Sequence, residues 1–138
     1  MGKITTHLTI INRGDQILAE DGFIRSEQVR IINIEDALVD TGATTLCLPA
    51  PLIVQLGLRL LKEVDIATSQ GLGRARVFQD AKVQLLGREG TFECLEVPAD
   101  ANVLLGVIPL EMLGIEPDLQ TQTLRLLPLG PHKSYLTA

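Results

Sequence analysis

Ala37-Leu38-Val39-Asp40-Thr41-Gly42-Ala43-Thr44-Thr45 is the stretch on which the reading of this 138-residue chain turns. The apolar residues before Asp40 read as a buried strand, and Gly42 permits a tight turn that a Cβ would obstruct. Asp40 therefore stands at a strand end, on a rigid support, beside a small hydroxyl residue. A carboxylate so placed is costly unless it is hydrogen-bonded, paired or used. An Asp-[Ser/Thr]-Gly triplet is expected by chance roughly 0.06 times in a chain of this length; two preceding apolar positions and a following Ala or Ser lower that to about 0.001–0.002. The plain alternative is an Asp that opens an Asx-turn after a strand.

Bulk composition narrows the classes. Hydrophobic residues make up 46%, which argues for a packed core over disorder, and aromatics only 3%, so that core is built from Leu, Ile and Val. The length suits one domain, 1–138, and not two sizeable ones. A formal charge of −5 without a long basic run argues against nucleic acid as a partner. No apolar run reaches the roughly 18–20 residues of a spanning helix, and the N-terminus lacks a signal-peptide apolar region, so the expectation is a cytoplasmic protein with no membrane partner. Met1-Gly2-Lys3-Ile4-Thr5-Thr6 fits the loose myristoylation pattern, a short signal that needs a eukaryotic host. Cys47 and Cys94 read as free buried thiols, and neither has the spacing or His neighbours of a metal site.

Outward from the Asp40 stretch, the chain reads as short β segments. Residues 4–11 are rich in β-branched types and predict a strand. Arg13-Gly14-Asp15 reads as a turn, in preference to an integrin-type motif, and Gln16–Ala19 as a second strand before a turn at Asp21-Gly22. Val29–Ile34 and Ala37–Val39 are apolar runs ending at Asp40. Beyond it come a short strand at Leu46–Pro49, a turn or two of helix over Pro51–Leu58, and a strand over Val64–Ser69. Gln70-Gly71-Leu72-Gly73 reads as a hairpin tip. Its two glycines fit a mobile hairpin, though taken alone an ordinary tight one is the better reading, and no third Gly or following helix supports a dinucleotide loop. A strand from Arg74 toward Leu86, a turn at Gly87–Gly90 and a return strand at Thr91–Val97 follow. Leu104-Leu105-Gly106 then leads into a helix from near Pro109, stopped by Gly114. Ile115–Asp118 reads as a turn, Leu124–Leu126 as the last strand, and 128–138 as a tail. His7 and His132 share no motif and read as structural or solvent-facing.

Three of these features stand in the order found in one family. Asp40-Thr41-Gly42-Ala43 resembles the active-site loop of the retropepsin-like (retroviral-type) aspartic proteases. The Gly-tipped hairpin near 71–73 and the apolar-apolar-Gly strand at 104–106 before a short helix follow as they do there. The resemblance covers about residues 29–127. It implies an all-β fold, a closed β-barrel-type acid protease domain with one or two short helices, active as a two-fold homodimer. Viral members usually carry an acidic residue just after the loop and an Arg just after the later Gly; here those positions are Thr44 and Val107, so both partners of that pair are absent together.

The chemistry that the resemblance implies is peptide-bond hydrolysis by two carboxylates sharing a proton, with neither metal nor cofactor. The chain has one Asp-Thr-Gly, so Asp40 would meet its copy across a two-fold axis. In this reading Thr41, Gly42 and Ala43 support the loop; Gly71, Leu72 and Gly73 cover an extended peptide or protein substrate; and Leu104, Leu105 and Gly106 form the supporting strand. Two other classes stay open: a catalytically inactive peptide-binding or dimerisation module of the same fold, and a general β protein whose Asp40 caps a turn.

Overall fold

Alternation of apolar and polar residues, with period two, builds most of the molecule. The computed structural model describes residues 3–128 and 138. Thr5–Asn12 (β1), Ile31–Val39 (β2), Leu46–Pro49 (β3), Arg59–Thr68 (β4), Gly71–Leu85 (β5), Arg88–Val97 (β6) and the two-residue Leu104–Leu105 (β7) form a seven-stranded sheet in the order β1-β2-β7-β3-β6-β5-β4. β1 also pairs with β5 (Thr9 opposite Gln84, Asn12 opposite Ala81) while Thr9, Ile10 and Ile11 pair with β2 on its other edge. The sheet thereby closes on itself. Ile115–Asp118 (β8) and Thr123–Leu126 (β9) make a separate two-stranded sheet. The fold is mostly β.

The inward positions fill the closed sheet: Leu8 and Ile10 from β1, Ile32 and Ile34 from β2, Leu46 and Leu48 from β3, Val83 and Leu85 from β5, Phe92 and Cys94 from β6, Leu105 from β7. Two helices stopper it, Ala50–Leu56 (α2) with Ile53 and Leu56, and Val107–Leu113 (α3) with Leu110 and Leu113. Each such side chain contributes about 1.5–3 kcal/mol by leaving water. The core is aliphatic, as composition requires, and both cysteines are buried free thiols.

β5 changes partners along its length. Its edge facing β4 over Gly71–Gln79 faces β1 over Ala81–Gln84, and Asp80 marks the handover with a φ of +66°. Its pairing with β6 begins only at Val77. Residues 71–76 therefore pair with β4 alone, and the hairpin extends from the barrel as an arm with little buried surface on either face.

Five expectations are corrected here. Arg13–Glu20 is a helix (α1), not a turn and a strand, because Asn12 caps it: its Oδ1 accepts the Asp15 N–H at 2.9 Å. α1 brings the α-helices among the described residues to three, where one or two short helices were expected. The β4–β5 reversal lies at Ser69-Gln70, with Thr68 opposite Gly71; Leu72 and Gly73 are already in β5, and only Gly71 takes a positive φ, +111°. Leu86 and Gly87, both at positive φ, make the next hairpin turn, so Arg88–Gly90 belong to β6. Ile115–Asp118 is a strand, held by β9 from Ile115 opposite Leu126 to Asp118 opposite Thr123. His132, most of the tail and the first two residues of the myristoylation pattern lie outside the described residues.

Candidate active site

Asp40 is set between two strands that share no turn. β7 inserts between β2 and β3, parallel to β2, with Leu38 opposite Leu104 and Val39 opposite Leu105. The Leu38 N–H donates to Val103 O at 2.9 Å and the Asp40 N–H to Leu105 O at 3.0 Å; from the other side Val39 N–H donates to Ile4 O at 2.9 Å. The backbone is thus pinned up to the residue that carries the carboxylate.

Beyond it the chain folds back at once. Asp40 O accepts the Ala43 N–H at 3.1 Å, and Asp40 Oδ1 accepts the Gly42 N–H at 2.8 Å. A Cβ on Gly42 would lie 3.1 Å from that Oδ1, so a side chain there would crowd the carboxylate. Asp40 is half-buried, Thr41 and Gly42 are exposed, and Oδ2 has no hydrogen-bond partner among the described residues. One oxygen is fixed; the other is available.

The loop rests on Gly106. A Cβ at Gly106 would fall 2.4 Å from Thr45 O, 2.6 Å from Ala43 O and 2.7 Å from Thr45 N, all backbone atoms. With no side chain there, α3 starts against the loop, and its leading amides find acceptors: Val107 N–H donates to Ala43 O and Ile108 N–H to Thr44 O, each at 2.9 Å. Thr45 Oγ1 donates to Glu93 O at 3.0 Å, tying the loop's far end to β6. Thr44 and Val107 thus take part in this seam with different partners, Thr44 O accepting from Ile108 and the Val107 N–H donating to Ala43.

Electrostatics reach one neighbour. Burial, with the Asp40 charge adding to it, pushes the Cys47 thiol up to about 11. Burial likewise pushes the Cys94 thiol up. Neither is a poised nucleophile at neutral pH. Among the described residues no group of His, Cys, Asp or Glu is placed to hold a metal ion, and no helix is long and apolar enough to cross a membrane.

Asp40 and Thr41 open into a depression of about 300 Å³ whose other walls include Lys3, Ile4, Pro117 and Leu119. A second cleft, also about 300 Å³, lies at the root of the arm between Glu63, Arg74, Arg76 and Glu96 and does not include Asp40. There Arg76 holds Glu96 bidentately at 3.0 and 2.7 Å, fastening the arm to β6.

Of the residues singled out from sequence, Asp40, Thr41, Gly42, Ala43, Leu104, Leu105 and Gly106 converge on one point. Gly71, Leu72 and Gly73 stand apart on the arm. Side-chain bonds at its tip are internal, with Thr68 Oγ1 donating to Gly71 O at 2.7 Å and accepting the Gln70 N–H at 3.2 Å. Leu72 is 87% exposed. Sequence reading did not find Ile108, which shares the loop's carbonyls, nor the walls at Pro117 and Leu119; they are adjacent in space only because α3 and β8 turn back beside the loop. No family model matches the chain, and no curated protein sequence matches it. Geometry and residue chemistry have to carry the function.

Proposed function

We propose that the protein is an aspartic endopeptidase of the retropepsin-like type, hydrolysing peptide bonds as a two-fold homodimer. The observation that carries this reading is the setting of Asp40. Its backbone is pinned at a strand end by Leu105 O, its Oδ1 accepts the Gly42 N–H, and its loop is seated against Gly106, with one carboxylate oxygen free and a solvent-reached depression beside it.

One carboxylate cannot serve as base and acid in the same step, so two copies of Asp40 are required. One, ionised, takes a proton from the attacking water; the other, protonated, gives its proton to the carbonyl oxygen of the scissile bond. Rigidity of the loop matters here, since the two carboxyls have to meet at hydrogen-bond range. The β4–β5 arm, exposed on both faces and fastened only at its root, is suited to close over an extended peptide or protein substrate. Free buried thiols suit a reducing, cytoplasmic setting.

A second reading has its own observation. The Gly42 N–H to Asp40 Oδ1 bond is that of an Asx-turn, which a peptide-binding module with no catalysis would also form. Cleavage of a diverse peptide pool between about pH 4 and pH 7 separates the two. Asp40→Asn keeps an Oδ1 for the Gly42 N–H, so the turn persists while the acid–base chemistry is lost. Cuts made by the parent and absent with Asp40→Asn support the endopeptidase. A dimeric parent that cuts nothing, or a variant that cuts equally well, gives the binding module the lead.

A further inference from the structure

Arg88 lies at the first position of β6, at the far end of α3 from Asp40. Its Nη1 donates to Leu113 O and Gly114 O, both at 2.8 Å, and its Nη2 donates to Leu127 O. One guanidinium thus gathers the carbonyls that end α3 and the one that follows β9. α3 has no basic residue of its own in its last turn, so the cation that complements its C-terminal carbonyls comes from another strand. Leu113 also packs on β6, with its Cδ2 3.4 Å from where a Cβ of Gly90 would lie.

The other end of the same helix clasps the Asp40 loop through Val107 N–H to Ala43 O and Ile108 N–H to Thr44 O. α3 is seven residues long, about two turns, and too short to bend appreciably between these two attachments. At its start, the absence of a Gly106 side chain leaves the loop backbone in direct contact with the helix. From its end, the chain runs through Gly114 into β8 and on to Pro117 and Leu119, which wall the depression at Asp40. Both the seat of the loop and the opposite wall of the depression hang from the point that Arg88 holds.

We propose that Arg88 is a positioning residue for Asp40, acting through α3 from the helix end remote from the carboxylate. Its contribution to catalysis rests on the endopeptidase reading; its effect on the loop does not. The test is residue-resolved amide hydrogen exchange on the full chain for the parent, Arg88→Gln and Arg88→Lys, paired with peptide-cleavage kinetics. In Arg88→Gln, exchange at Val107 and Ile108 accelerates at least about tenfold together with Leu127, while Ile10 and Val83 in the barrel keep parent rates. Arg88→Lys, retaining a cation but not the fork, falls between. kcat drops at least about tenfold with KM within about twofold, since the misplaced group acts on the reacting centre and not on peptide binding.

Acceleration confined to Gly114 and Leu127 would overturn the proposal, reducing Arg88 to a local clamp. So would equal acceleration at Ile10 and Val83, which marks loss of global stability alone, or a fall in kcat with exchange at Val107 and Ile108 unmoved. If Arg88→Gln does not fold, Arg88→Lys carries the same comparison. A parent that cleaves nothing removes the endopeptidase reading and leaves the exchange result to decide the role of Arg88 in the loop.

Discussion

Gly106 has a φ of −91°, open to any residue, so it is space and not backbone conformation that requires glycine there. A methyl group would meet three backbone atoms of the loop at 2.4–2.7 Å, and none can rotate aside. Gly106→Ala is expected to cost about 3 kcal/mol and to separate α3 from the loop, which urea denaturation and loss of Val107 and Ile108 amide protection would report. The thiols give a milder prediction. With Cys47 raised to about 11 and both cysteines buried, alkylation of the native protein at pH 8 proceeds at least about a hundredfold slower than of the denatured chain. At this scale much was legible. Asp40, Gly42 and Gly106 are marked by type and order, because a carboxylate after an apolar run and a glycine after two leucines have few structural uses. Arg88 carries no such mark; an arginine after a hairpin glycine is ordinary until the strand that follows brings it beneath a helix end.

Among elements, α1 departs furthest from its sequence signal, a helix where a turn and a strand were expected. Its apolar Ile17 and Leu18 remain about two-fifths exposed, so no core-facing helical period announces it. What holds it is polar. Asn12, only 6% exposed, accepts from Asp15 N–H and donates through Nδ2 to Leu56 O at 2.8 Å and Gly57 O at 3.3 Å, joining the start of α1 to the end of α2. Asn12→Ala is expected to cost about 2 kcal/mol by the denaturation midpoint, since it removes a cap and strands a carbonyl. Asp15 adds a pH dependence. Side-chain hydrogen bonds from the Arg30 guanidinium, at 2.8 and 2.9 Å, hold its carboxyl below the usual value, against the opposing effect of burial. Because the folded value is the lower one, its stabilisation is complete above about pH 4 and drains away as pH falls through the folded value. Asp15→Asn should therefore lose about 1–2 kcal/mol at neutral pH, discounted for the half-exposed arginine, and should flatten the acid limb of stability below pH 4. The β4–β5 tip was misplaced for a similar reason: the glycines that signal a reversal sit just after it, while Thr68 organises a Ser-Gln turn by side-chain hydrogen bonds.

For the molecule as a whole, the mostly-β architecture was legible from alternation in β1, β5 and β6, whereas the strand pair that closes the sheet, β1 with β5, was not legible from that alternation. That pairing joins residues some seventy positions apart, beyond the reach of local pattern. The proposed dyad makes a prediction at this scale. Specific activity should rise with protein concentration. When parent and Asp40→Asn chains are refolded together in equal amounts, activity should fall to about one quarter of the all-parent value, because only pairs with two carboxyls turn over. A fall to one half would mean that each chain works alone. There is also a temporal side to β7. Two residues long, it lies between β2 and β3, which are neighbours in the chain but not in the sheet. While the polypeptide is being synthesised, the acidic turn can be born, and the strands on either side of it completed, long before Leu104 and Leu105 exist to hold them apart. Its final shape waits for Leu104 and Leu105 to be made, and because the Asp40 N–H is held by Leu105 O from far along the chain, in a refolding experiment read by pulse labelling the Asp40 amide should gain protection after the local β5–β6 hairpin and never before it.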